Sequence, residues 1–174
     1  GMRVAILTDL HWGVRSNNLF FLEKMEEFYY GFFIPYIKKE GIDVVWILGD
    51  VFENRKQINV QIINRAQDFF QTLQNEGIHV YCIAGNHDYF FKNTNDVGSL
   101  GPILKPYSNV HLISKFDVIP FDSVSVGFIS WISPDVKEEA LRWIQTVDAS
   151  ILCGHFEINS FEIIKGVVCH SGFE

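Results

Sequence analysis

The stretch Asp43-Val44-Val45-Trp46-Ile47-Leu48-Gly49-Asp50 decides the fold. Its five consecutive apolar side chains, β-branched and aromatic among them, read as a short strand. Gly49 then lets the chain turn sharply off the strand end without a Cβ clash, and Asp50 follows at the tip. Two further runs of the same kind, Arg3 to Thr8 and His79 to Ile83, flank it at a distance. Long segments of helical character separate the three, which gives the order β-α-β-α-β. The first such segment, about Asn18 to Glu40, ends in Lys38-Lys39-Glu40-Gly41, with basic residues in the last turn and then glycine. Pro35 inside it predicts a kink or break near Phe33. The second, about Val60 to Glu76, carries Ile62, Ile63, Ala66, Phe69, Phe70 and Leu73 as an apolar stripe and stops at Gly77.

Beyond Val110 the rhythm shortens. Strands are expected at Val110 to Ile113, Val118 to Phe121 and Val124 to Ile129, with a turn at Pro120-Phe121-Asp122-Ser123. A helix follows from about Pro134 to Thr146, then a strand from Ala149 to Cys153, and no element is evident before Glu174. The outline is an α/β sandwich. With 174 residues and 48% apolar content, one domain with one sizeable core is the expectation, over residues 2–174. Gly1 before Met2 reads as the remnant of a removed tag. No apolar run approaches the roughly 20 residues that cross a bilayer and no signal peptide opens the chain, so a cytoplasmic protein without membrane contact is expected. Cys82, Cys153 and Cys169 form no C-x-x-C pair and read as reduced core thiols. A net charge of -7 argues against a broad basic grip on nucleic acid, although bound cations would invert the field around an acidic cluster.

Four polar clusters stand directly after expected strands: Asp9-Leu10-His11, Gly49-Asp50, Gly85-Asn86-His87-Asp88 and Gly154-His155. In α/β sheets ligand sites collect at the carboxyl ends of strands, so these distant clusters can converge. Carboxylate oxygen, imidazole nitrogen and carboxamide oxygen without thiolate make a donor set suited to Mn²⁺, Fe or Zn²⁺. Asp9 and His11, two apart, can chelate one ion, and an aspartate such as Asp50 can bridge two. Two ions about 3.5–4 Å apart clamp a phosphoryl group and activate water. Phosphoester hydrolysis is the chemistry this set serves.

The motifs D-x-H, G-D, G-N-H-D and G-H, in this order, resemble those of the calcineurin-like metallophosphoesterases across nearly the whole chain. The resemblance implies a β-sandwich flanked by helices in four layers, α/β/β/α, here incomplete at the C-terminus. It implies two divalent metals, Mn²⁺ foremost, with Asp9 and His11 on one, Asp50 bridging, and Asn86 and His155 on the other. His87 then resembles the histidine that contacts the scissile phosphate as general acid or transition-state stabiliser, with Asp88 orienting it. Asp50-Val51-Phe52-Glu53, the residues from Gly85 to Lys92, and Gly154-His155-Phe156-Glu157-Ile158-Asn159 look like the SbcD-type nuclease subunit of double-strand-break repair, in its bacteriophage recombination-endonuclease branch. That subfamily implies a DNA exonuclease and endonuclease with an SbcC-type ATPase partner and a homodimer. It also carries a later Gly-His-x-His motif that is not matched here, since His170 stands in Cys-His-Ser-Gly. The expectation is a chain that stops before its last ligand motif.

Arg55, Lys56 and Lys92 follow the metal motifs and are candidate DNA-backbone contacts, against the reading of a solvated face. Trp12, Tyr89, Phe90 and Phe91 could stack on unpaired bases but fit core packing better. His79 and His111 read as ordinary strand histidines, and His170 stays open. Phe20, Phe21, Phe28, Phe32 and Phe33 are too many aromatics for one buried stripe, so part of that helix is a candidate self-association surface. Two rival readings remain. One keeps the fold and takes a small phosphodiester, phosphomonoester or phosphoprotein; the other is a non-catalytic interaction module or an inactive fragment.

Overall fold

The computed structural model describes residues 3–8, 10, 19–49, 51, 60–83, 107–113, 115–130, 134–155 and 167–171. Of Leu19, Phe21, Pro134, His155 and residues 167–171 the backbone alone is described. In chain order the elements are β1 (Ala5–Leu7), α1 (Leu19–Phe28), a π turn (Tyr29–Phe33), α2 (Ile34–Lys39), β2 (Val44–Leu48), α3 (Val60–Asn75) and β3 (His79–Ile83). There follow β4 (Val110–Ile113), β5 (Phe116–Phe121), β6 (Val124–Ile129), a 3₁₀ turn (Pro134–Val136), α4 (Lys137–Thr146), β7 (Ile151–His155) and β8 (Val167–Ser171). They form two four-stranded sheets, ordered β1-β2-β3-β4 and β5-β6-β7-β8. The first is parallel throughout. The second is parallel except for the β5–β6 hairpin.

Three separate cores hold four layers together. Strand β2 is buried at every position because it faces two of them. Val45 and Ile47 pack with Leu22, Tyr29, Ile37, Phe69 and Phe70 of the helices. Val44, Trp46 and Leu48 pack with Phe121, Val126, Phe128 and Cys153 of the second sheet. The third core sets Ile129 and Leu152 against Ala140 and Ile144 of α4. This is the expected α/β/β/α sandwich, and the unbroken apolar run of β2 is the mark of a strand covered on both faces. Gly127 in β6 shows how closely α4 packs on the second sheet: a Cβ there would sit 2.7 Å from Cδ2 of Leu152 on the neighbouring strand and 3.1 Å from Trp143 of α4.

Three strand expectations need correction, whereas Pro35 marks a change in the helix near Phe33 as expected. It opens α2, and the preceding π turn absorbs the loss of a donor, with the Ile34 N–H reaching back to the Tyr29 carbonyl. Strand β5 begins at Phe116, two residues early, since Phe116 pairs with Ile129. The turn it enters is the two-residue Asp122-Ser123, where Asp122 takes φ 53, a conformation aspartate tolerates better than most residues. Strand β7 runs through His155 rather than stopping at Cys153, and β8 forms where no element was expected. Backbone pairing decides both: Gly154 lies between Ile129 and His170, so it continues the ladder and makes no turn.

Candidate metal centre

The parallel register sets the carboxyl ends of the first sheet level. Leu7 pairs with Ile47, Leu48 with Ile83, and Ile83 with Ile113. Asp9, Asp50 and Asn86 each follow such an end within three residues. The second sheet is tied to the same edge by Ser130, which follows β6 and is fully buried. Its hydroxyl donates to the Ile113 carbonyl at 2.6 Å, and its N–H donates to the Lys115 carbonyl at 2.8 Å. Ile129 is in register with Gly154, so the His155 backbone ends β7 at this edge as well. The four strands that lead into the clusters therefore end at one edge of the sandwich.

The residues beside the expected ligands anchor the chain. Leu10, between Asp9 and His11, is 1% exposed in the core shared with the helices, and Val51, after Asp50, is 0% exposed in the same core. Gly49 adopts φ 99, which only glycine holds at low cost, so the turn from β2 to Asp50 requires it. Asp9, His11, Asp50, Asn86, His87 and Asp88 lie outside the described residues, as do Arg55, Lys56 and Lys92, and His155 is described by backbone alone. Trp12, Tyr89, Phe90 and Phe91 lie outside as well.

The donor chemistry fits a divalent ion. The expected oxygen and nitrogen donors follow or end the strands in sequence, while Cys153, two residues before His155, is fully buried in the core between the sheets. Shifted ionisations among the described residues lie elsewhere: burial raises the phenols of Tyr29 and Tyr30 on the helical layer and of Tyr107 before β4. A cavity of about 310 Å³ lies at the opposite end, lined by Val4, Trp46, Phe121, Asp122, Val124 and Ile151 among others. Its walls are the amino ends of β1, β6 and β7, so it has no part in the convergence.

Two features escaped the sequence reading. Ser130 looks like any loop serine, and its role becomes visible only when β6 is laid beside β4. Cys153 and Cys169, far apart in the chain, are register partners on β7 and β8. His111 keeps its ordinary reading, with Nε2 3.8 Å from the Asp117 carboxylate on an exposed surface. Among the described residues no helix is long and apolar enough to cross a membrane.

The sequence is 33% identical over 174 residues to exonuclease subunit 1 of Enterobacteria phage T4, covering 97% of this chain and 50% of that protein. It is 25% identical over 162 residues to a putative phosphoesterase of Invertebrate iridescent virus 3, covering 84% and 43%. The chain thus spans about half the length of the curated relatives it matches. Its fold is similar to that of a protein of unknown function from Aquifex aeolicus, with a TM-score of 0.55 at 14% identity over 98% of this chain and 90% of that one. Residues 2–172 match the calcineurin-like phosphoesterases, so the chain belongs to that family of divalent-metal hydrolases.

Proposed function

We propose that the protein hydrolyses phosphodiester bonds with two divalent metals, and that its substrate is DNA. The observation that carries the reading is the gathering at one edge of the four strand ends beside which the candidate ligands stand in the sequence, tied across the sheets by Ser130. Asp9, His11, Asp50, Asn86 and His155 would hold the metals, with Mn²⁺ the first candidate. Bound there, the ions would supply an activated water and neutralise charge on the phosphoryl oxygens. His87 would deliver a proton to the leaving 3′-oxygen, and Asp88 would orient that imidazole. Arg55, Lys56 and Lys92 would meet the DNA backbone beside the metals.

Similarity to a phage exonuclease subunit supports a nuclease with DNA as substrate, and a role in recombination or double-strand-break repair inside the cell is proposed with it. It also supports a subunit partner, for which an SbcC-type ATPase is proposed, together with a second copy of this chain. The last Gly-His-x-His ligand motif is proposed to belong to sequence beyond Glu174. The net charge of -7 favours one rival, a small phosphodiester substrate. Hydrolysis of duplex DNA and of bis(p-nitrophenyl) phosphate, each with Mn²⁺ and with chelator, separates the two. Mn²⁺-dependent nicking or resection of DNA supports the proposal. Turnover of the small ester with DNA left intact would transfer it to the rival, and inertness towards both, in a form extended past Glu174, would refute it.

A further inference from the structure

We propose that the cavity at the amino end of the sandwich is a binding site for a small, uncharged and largely apolar molecule, held by one hydrogen bond from the indole N–H of Trp46 to an oxygen acceptor of the ligand. The site lies away from the candidate metal centre, so the inference stands or falls without the proposed hydrolysis. Both sheets build its walls: Val4 and Trp46 belong to the first, Phe121, Val126 and Ile151 to the second. Alternation along β2 turns Trp46 towards the second sheet, where its ring lies 5.2 Å from Phe121 and meets Phe128 edge to face at 5.3 Å. The indole is 6% exposed, and its N–H has no hydrogen-bond partner. Among the described residues it is the one buried side-chain donor left in that condition, since the other two orphaned atoms, on Gln74 and Asn109, are acceptor oxygens. A buried tryptophan ordinarily finds a partner for this group, and leaving it unpaired destabilises the fold. Phenylalanine, which stands beside it at positions 121 and 128, would fill the same wall without that cost.

Size and charge narrow the ligand. A volume of about 310 Å³ is at the small end of the range for small-molecule sites, about 300–1,000 Å³, and an apolar wall with a single placed donor is their usual make-up. The two-residue turn between β5 and β6 leaves Asp122, Ser123 and Val124 exposed at the rim. The Asp122 carboxylate repels carboxylates and phosphates there, and no basic residue among the described ones lines the cavity to offset it. A cation would lose its hydration against the apolar walls without an ion-pair partner inside them. The acceptor is therefore a neutral oxygen, as in a ketone, ester or ether, and the ligand differs in kind from the anionic phosphoester expected at the opposite end. Seated between the sheets, it would tie them together at the amino end as Ser130 does at the carboxyl end.

Titration of ¹⁵N-labelled protein with two probes of nearly equal shape tests the proposal. Acetophenone offers a ring and one carbonyl; α-methylstyrene replaces that carbonyl oxygen by a methylene. Acetophenone is expected to move the Trp46 indole N–H signal downfield and to shift the amides of Val124, Val126 and Ile151 saturably, while Leu48 and Ile83 at the carboxyl ends stay in place. α-Methylstyrene should shift the same amides but bind about three- to tenfold more weakly, the worth of one hydrogen bond. Trp46→Phe assigns the indole signal among the four tryptophans and should bind the two probes equally. Val124→Trp, at the exposed rim, should block both. Circular dichroism melting shows whether each variant folds; if Trp46→Phe does not, the two probes on the wild type carry the test. An absence of saturable shifts at the cavity with either probe would overturn the site. Equal affinity of the wild type for both probes, or a preference for acetophenone that survives Trp46→Phe, would overturn the indole as the donor and with it the ligand class.

Discussion

At the carboxyl end of the sandwich the chain is pinned by fully buried residues, Leu10, Val51 and Ser130, each within two or three positions of a polar motif or of the other sheet. At the amino end the same strands open on an apolar cavity of about 310 Å³, closed on one side by the Asp122–Ser123 turn. The backbone explains the contrast. Parallel strands send every motif that follows a strand to one end and every helix return to the other, and the β5–β6 hairpin alone turns at the amino side. The polar chemistry is concentrated where strands leave the sheets, and the opposite end keeps the packing of a core margin.

If this asymmetry is functional, substitutions at the two ends should differ by orders of magnitude. The largest effect is expected from His87→Ala. In a form of the protein that hydrolyses a phosphodiester, turnover should fall by about 10²–10⁴ while metal content stays the same. Unchanged turnover in steady-state assays would remove His87 from the chemistry. Next comes Leu10→Ala, which empties a site 1% exposed between two expected ligands and should lower stability by about 2–5 kcal/mol in denaturant unfolding. Metal affinity should fall with it, since the anchor of the Asp9–His11 segment is lost. Ser130→Ala leaves the Ile113 carbonyl buried without its donor and should cost about 1–3 kcal/mol by the same measurement. The smallest effect is expected at the other end: Ser123→Ala, on the exposed turn, should change stability by less than about 0.5 kcal/mol and leave turnover untouched. A loss of activity there would break the comparison.

Much of this was legible in the sequence because it depends on local pattern. The apolar run of β2, the glycine that turns out of it, and the stripe of α3 each sit within a window of a few residues, and each appears in the structure as read. The misreadings share a different cause. Gly154 looked like a turn because glycine usually follows a strand; it is held in one by Ile129 and His170, partners contributed from elsewhere in the chain. Val167–Ser171 is too short and too polar at its end to announce itself, and it becomes a strand through β7. Pro35, by contrast, was legible locally: a π turn ends at Phe33 and the α-helix restarts at Ile34, where a kink or break was expected. At the candidate centre the motif spacing named candidate donors, while the serine that joins the two sheets could be seen only after the sheets were laid face to face.

The claim that the carboxyl ends of the strands hold the metals is tested most directly by titrating Mn²⁺ into isotope-labelled protein and recording paramagnetic broadening of the backbone amides. Broadening is predicted first at Leu7, Leu48, Ile83 and Gly154, with Val44, His79, Val124 and Ile151 at the amino ends staying sharp, and Asp50→Asn should weaken it. Broadening centred on the amino ends, or spread evenly over both, would contradict the account.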